Sequence, residues 1–304
     1  MPGIYMHTTI PAMFFEISRT AVSMCGAGIL LFLIALWAAK TDIARAGGLD
    51  KIVALSNLCF AIALAVFGAE HLSGAKFIMM AVPEYMPWRL FWAYFVGYAL
   101  LAAALSIATK IQVRWSGLLF GIMMVLFVAM VHIPRVLASP KDRFAWVIVF
   151  REMSFAGGAW ALAGSAMRGP GGSKLITVGR VLIAFAALFF SVWHFLHPTT
   201  CPGVPLEKLM PSWIPGSMVI GYLTGAILLV AGASILLGKK TRMAATYLGT
   251  WMVLLVLFIY GPIMVVQMLD PSTAVKVEGI NYFADTLLFA GAILALASAT
   301  LRTD

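Results

Sequence analysis

Nine apolar stretches, each about as long as a hydrocarbon core is thick, divide this chain, at 20–39, 52–70, 89–109, 115–133, 145–167, 178–197, 216–237, 243–265 and 282–301. A helix rises about 1.5 Å per residue, so roughly 20 residues cross about 30 Å of acyl chain. Lipid offers a backbone amide no partner, and stretches of this length satisfy their own amides by forming helices. With 62% of 304 residues hydrophobic and only 11% charged, the chain has too little polar surface to coat a soluble globule. The expected fold class is therefore all-α integral membrane, with about nine transmembrane helices in a lipid bilayer. The net charge of +9 comes from cations scattered singly or in small groups between apolar stretches, which excludes nucleic acid as a partner. The first stretch lacks the basic flank and small-residue cleavage site of a removable signal, and is expected to remain as an appended helix.

Residues 58–165 are echoed by 186–298, most legibly at an offset of 128, where Pro83, Pro87, Tyr94, Gly97, Arg114, Met124 and Pro134 recur as Pro211, Pro215, Tyr222, Gly225, Arg242, Met252 and Pro262. Matches spread over turns, helix interiors and loop prolines indicate tandem duplication rather than shared composition. Four spans per copy is an even number, so both copies enter the membrane in the same direction, as parallel repeats. The organisation expected is an N-terminal segment over 1–51, a first four-helix unit over 52–167, a Gly/Pro linker over 168–177 and a second unit over 178–304. Lys239, Lys240 and Arg242 crowd one acid-free turn, and Arg302 follows the last stretch. The positive-inside rule then places the N terminus outside and the C terminus in the cytoplasm of a bacterial-type inner membrane.

The segment Ser234-Ile-Leu-Leu-Gly-Lys-Lys-Thr-Arg-Met-Ala-Ala245 closes an apolar helix on Gly238, follows it with cations and reopens on small residues. In this it resembles the DoxX-like membrane family, whose members include the membrane subunit of thiosulfate:quinone oxidoreductases. Over about 52–301 the chain would be two such four-helix units fused. The resemblance implies a quinone-linked redox role, with quinone as cofactor and a redox protein subunit as partner. Family members often carry an acid in the unit's second helix; Trp92 to Ile107 and Ile220 to Ile235 here have none.

Ionisable residues inside spans are costly, at about 2.5–3.5 kcal/mol each on insertion scales, and face a bundle interior or a wet cavity. On the expected topology Glu70, His71, His132, Glu152, His194, His197 and Asp285 all fall in the outer half. Glu152 and Asp285 coincide at an offset of 133 together with a Gly and the Ala after it, which puts one carboxylate just inside the last span of each copy. Two roles remain open for them: tethering a helix entrance, with Arg151 as the first one's partner, or proton transfer to a quinol-like headgroup. His71, His132, His197 and Tyr260, the last standing at 128 from His132, are candidates to bind that headgroup. His194 and His197, three apart, have a spacing compatible with two ligands of one metal; interfacial hydrogen bonding is the alternative, and metal or haem stays open. Cys25, Cys59 and Cys201 are isolated, which argues against internal thiol exchange. The functional classes left are a quinone-linked subunit, a small-solute transporter, and a non-catalytic scaffold for a soluble redox partner.

Overall fold

In a computed structural model the described residues are 18–205 and 208–300; Arg302 and the rest of both termini, on which part of the charge argument rests, lie outside them. They form nine long helices. These are α1 (Arg19–Arg45), α2 (Asp50–Ser73), α3 (Arg89–Thr109), α4 (Val113–Ala138), α5 (Arg143–Ser165), α6 (Pro170–Leu196), α7 (Ser217–Leu237), α8 (Thr241–Met268) and α9 (Thr273–Ala299). Eight are long and apolar enough to cross a membrane. The ninth, α5, spans 23 residues but is diluted by Arg151, Glu152 and a run of small residues. It can cross because it lies among α4, α6 and α9 rather than against lipid. The chain is an all-α, multi-pass membrane protein.

Element bounds recur at 128. Helices α3 and α7 begin and end 128 residues apart, and α4 and α8 start 128 apart. Left-handed residues stand at Trp88 and Gly216, at Lys110 and Gly238, and at Gln112 and Lys240. Gly238 takes this conformation (φ 68°) without strain, whereas Lys110 (φ 61°) holds it against its own Cβ. One π turn interrupts the third helix of each unit, Val128–His132 in α4 and Val256–Tyr260 in α8. Their cause is local: Pro134 and Pro262 have no N–H to return to the preceding turn, so Ile133 and Gly261 bond five residues back, to Val128 and Val256.

Helix α1 buries one stripe, Ala21, Met24, Gly28, Leu31, Ala35 and Ala39, spaced three or four apart, and packs it on α2 and α3. Ile29 and Trp37, on its other face, are exposed to lipid. The two units meet through α2 with α9, α5 with α6, and α5 with α9. Apolar burial gives little drive in lipid, so these contacts depend on close backbone approach at small residues. A methyl group added at Gly158 of α5 would sit 2.3 Å from Ala292 of α9, and one at Gly179 of α6 would sit 2.2 Å from the Gly157 carbonyl. Helix α9 is consequently the most enclosed of the eight, with 83% of its apolar window buried and the lowest mean hydropathy, 1.6.

Two expectations shift. The Gly/Pro segment expected as a linker over 168–177 is helical from Pro170, because proline at a first helical position forgoes an N–H that would have had no partner. Helix α9 begins nine residues before the expected span, so Asp285 lies twelve residues past Thr273 rather than just inside the entrance. Glu152 lies nine residues past Arg143. Both carboxylates are deep in the protein.

Candidate functional site

Helices α5 and α9 cross at the centre, and each brings its repeated acid to one guanidinium. Arg151 donates from Nη1 to Asp285 Oδ2 at 2.7 Å and from Nη2 to Glu152 Oε1 at 3.4 Å. The π turn of α4 rolls His132 inward until Nε2 is 3.6 Å from the same Glu152 oxygen. Side-chain exposures of 8% for Asp285, 12% for Glu152 and 19% for Arg151 leave little solvent screening. Two carboxylates facing one fixed cation carry one surplus negative charge, and the imidazole of His132 is the other nitrogen group beside Glu152.

Beside this cluster lies a cavity of about 470 Å³ between α2, α3, α4, α5 and α9. Its apolar wall carries Phe67, Phe77, Phe120, Phe127 and Phe155, and its polar wall Glu70, His71, Glu152, Arg151, Asn281 and Asp285. Asn281 Nδ2 donates to Glu70 Oε1 at 2.9 Å, joining α9 to the end of α2. His71 Nδ1 lies 2.8 Å from the Phe67 carbonyl, an oxygen that only accepts, so this nitrogen carries the proton and Nε2 of the neutral ring is an acceptor. At the rim Glu278 is held by Lys208, by Tyr282 at 2.7 Å and by Gln267 at 3.0 Å. A second cavity, about 500 Å³, at the opposite end of the bundle is lined by Asn57, Lys110, Arg114 and Ser165, polar groups at helix ends.

The second unit has the same pocket position and fills it with its own chain. Gly97 and Gly225, 128 apart, pack against His71 Cβ and His194 Cβ respectively, which makes His194 the counterpart of His71. Met252, Leu255 and Tyr260 stand at 128 from the cavity residues Met124 and Phe127 and from His132. Into that space comes the connection between α6 and α7. Tyr260 donates to the Pro202 carbonyl at 2.6 Å, the Gly203 N–H reaches His194 Nε2 at 3.1 Å, and the Gly203 carbonyl is 3.2 Å from the same nitrogen. A methyl at Gly203 would meet Met252, Leu255 and Thr286 at 3.4 Å. Cys201, Val204, Met210 and Ile214 are buried with it, and burial pushes the Cys201 thiol up to about 11, with Lys208 drawing it partway back.

Of the residues singled out from sequence, Glu152, Asp285, His71 and His132 converge. Tyr260 and His194 lie together at the filled pocket of the second unit. His197 stands apart: it ends α6 with φ −134°, accepts from Arg143 Nη1 at 3.1 Å and lies over Trp193. The three-residue spacing of His194 and His197 therefore does not put their nitrogens on one point, since only the first is helical. Among the described residues no group of three or more His, Cys, Asp or Glu could hold a metal ion. Sequence reading passed over Asn281, and it treated Arg151 as Glu152's partner alone. The signal available was that Arg151 is the sole cation inside any of the nine stretches other than at its ends.

Compared with family models, with curated proteins and with solved structures, the chain matches none.

Proposed function

We propose that this chain is the membrane subunit of a quinone-linked oxidoreductase, and that the cavity beside Glu152 receives the headgroup in the outer half of an inner membrane, with the N terminus outside and the C terminus cytoplasmic. The observation that carries the reading is the pairing of five phenyl rings with a convergent set of proton-exchanging groups, in a cavity of about 470 Å³. Ligand sites of a few hundred Å³ with an apolar lining and few directed polar groups are the usual form of a small-molecule pocket. The fit is supported by buried polar atoms that lack a partner among the described residues, Glu152 Oε2, Asn281 Oδ1 and Arg151 Nε. When bound, a quinone supplies two-electron, two-proton chemistry, with the electrons exchanged with a redox partner protein. The chain's own residues bind and handle protons: the phenyl rings exclude water and bracket a flat ring, His71 Nε2 meets a polar edge, and Glu152 with His132 holds or releases a proton near it. Arg151 is a positioning residue that fixes both carboxylates.

The test is calorimetric titration of the purified protein in nanodiscs with a short-tailed benzoquinone and its reduced form. Saturable binding at one site, weakened in Phe155→Ala and in Glu152→Gln with the fold retained, is expected. Absence of saturable binding by either form would reject the headgroup site and favour a solute permease or a scaffold.

A further inference from the structure

The polar wall of the cavity is mismatched in kind: most of the atoms it offers accept hydrogen bonds. Glu152 Oε2, as a carboxylate beside Arg151, is an acceptor without a partner among the described residues, and so is Asn281 Oδ1, whose amide nitrogen gives one of its two hydrogens to Glu70. His71 presents a third acceptor, because the Phe67 carbonyl fixes the proton on Nδ1. Arg151 Nε is a donor nitrogen without a partner among the described residues. Buried acceptors without donors are expensive, at about 1–3 kcal/mol each, so a ligand that relieves them must bring hydrogens.

The filled pocket of the second unit offers an independent template. There the occupant is a flat group, the Pro202–Gly203 peptide, whose oxygen faces Tyr260 and whose N–H points at His194 Nε2. Tyr260 corresponds to His132 and His194 to His71. That peptide presents an acceptor on the edge nearer α8 and a donor on the edge nearer α6, with the Gly203 carbonyl also 3.2 Å from His194 Nε2. Transferred to the open cavity, the acceptor edge faces the His132–Glu152 pair and the donor edge faces His71.

We infer that the open cavity selects the reduced, hydroxyl-bearing form of a two-oxygen ring over the oxidised form, with one hydroxyl donated to His71 Nε2. This selectivity rests on the headgroup reading and sharpens it. A quinone carbonyl at His71 would set acceptor against acceptor. A hydroxyl there donates, and the ring's second oxygen takes a proton from, or gives one to, the His132–Glu152 pair.

The experiment compares three probes under anaerobic conditions in the nanodisc titration: a short-tailed hydroquinone, its matching benzoquinone and its dimethyl ether. The hydroquinone is expected to bind at least about tenfold tighter than either of the others, a difference of about 1.4 kcal/mol. His71→Phe should reduce that preference to less than about threefold. The ether comparison changes only the ligand, so the result stands even where the variant fails to fold. Equal or tighter binding of the benzoquinone would overturn the inference and leave the headgroup site intact. Binding by none of the probes would remove both.

Discussion

Removing the cation between the two repeated acids is the most severe single test of the central cluster. Arg151→Leu keeps most of the side chain's volume and deletes the charge that Asp285 meets at 2.7 Å and Glu152 at 3.4 Å. Both partners are more than four-fifths buried, so they cannot recover their hydration without opening the α5–α9 crossing. Breaking a buried pair from one side costs about 3–5 kcal/mol because the other charge is left uncompensated, whereas an exposed pair is worth about 0–1 kcal/mol. Leucine also satisfies none of the acceptors that the guanidinium serves. The expected loss is therefore about 3–5 kcal/mol of unfolding free energy, read by reversible SDS-driven unfolding in mixed micelles and by the fraction surviving size exclusion after heating. A triple variant with Arg151→Leu, Glu152→Gln and Asp285→Asn removes the charges together and should recover most of that loss, since no ion is left unpaired. A single-variant cost below about 1 kcal/mol, or a triple variant no better than the single, would refute the claim that two enclosed carboxylates depend on the shared Arg151.

Gly158→Leu should cost more than about 3 kcal/mol or abolish the folded peak, because even its first carbon would lie 2.3 Å from Ala292, while Gly171→Ala, with open space around it, should stabilise by about 0.5–1 kcal/mol; equal stabilities would contradict the close α5–α9 crossing. Cys201 is buried with its thiol pushed up to about 11, so at pH 8 about 0.1% is thiolate and maleimide labelling should be slow. Tyr260→Phe frees the Pro202 carbonyl and should speed labelling several-fold by loosening the α6–α7 connection, and an unchanged rate would show that the hydrogen bond does not hold it. A reporter fused after Asp304 should read as cytoplasmic and one inserted near Ser272 as external, with the reverse pattern overturning the charge argument.

The helices were legible because lipid imposes one solution on a long apolar run, and the bounds at 89–109 agree with the structure at both ends. The start of α9 was not, because residues 273–281 look too polar for a span. Their polarity is met by partners in the protein, Glu278 at the rim by Lys208 and Asn281 by Glu70, 70 and 211 residues away. Hydropathy reads a residue's solvent and has no access to such partners. The acids at 152 and 285 were recognisable from their cost in lipid and from their recurrence. Their junction on Arg151 was not, since it depends on how the two units face each other. The separation of His194 from His197 was hidden for a simpler reason, as a three-residue interval shares a face only while the helix lasts, and α6 ends at Leu196. The filling of one pocket by the α6–α7 connection left a trace in sequence only as a longer loop.

The ion pair between α5 and α9 also imposes an order on biosynthesis. Ribosomes deliver the chain from its N terminus, so Arg151 and Glu152 reach the membrane about 130 residues before Asp285 is made, on the order of ten seconds at bacterial or slower elongation rates. Over that interval the least apolar of the nine helices has to be inserted with its guanidinium met by Glu152 alone, at 3.4 Å, and without the closer contact to Asp285 at 2.7 Å. Helix α9, made last, is thus the segment whose arrival covers the polar face of α5, and a chain truncated before it would leave that face without its partner.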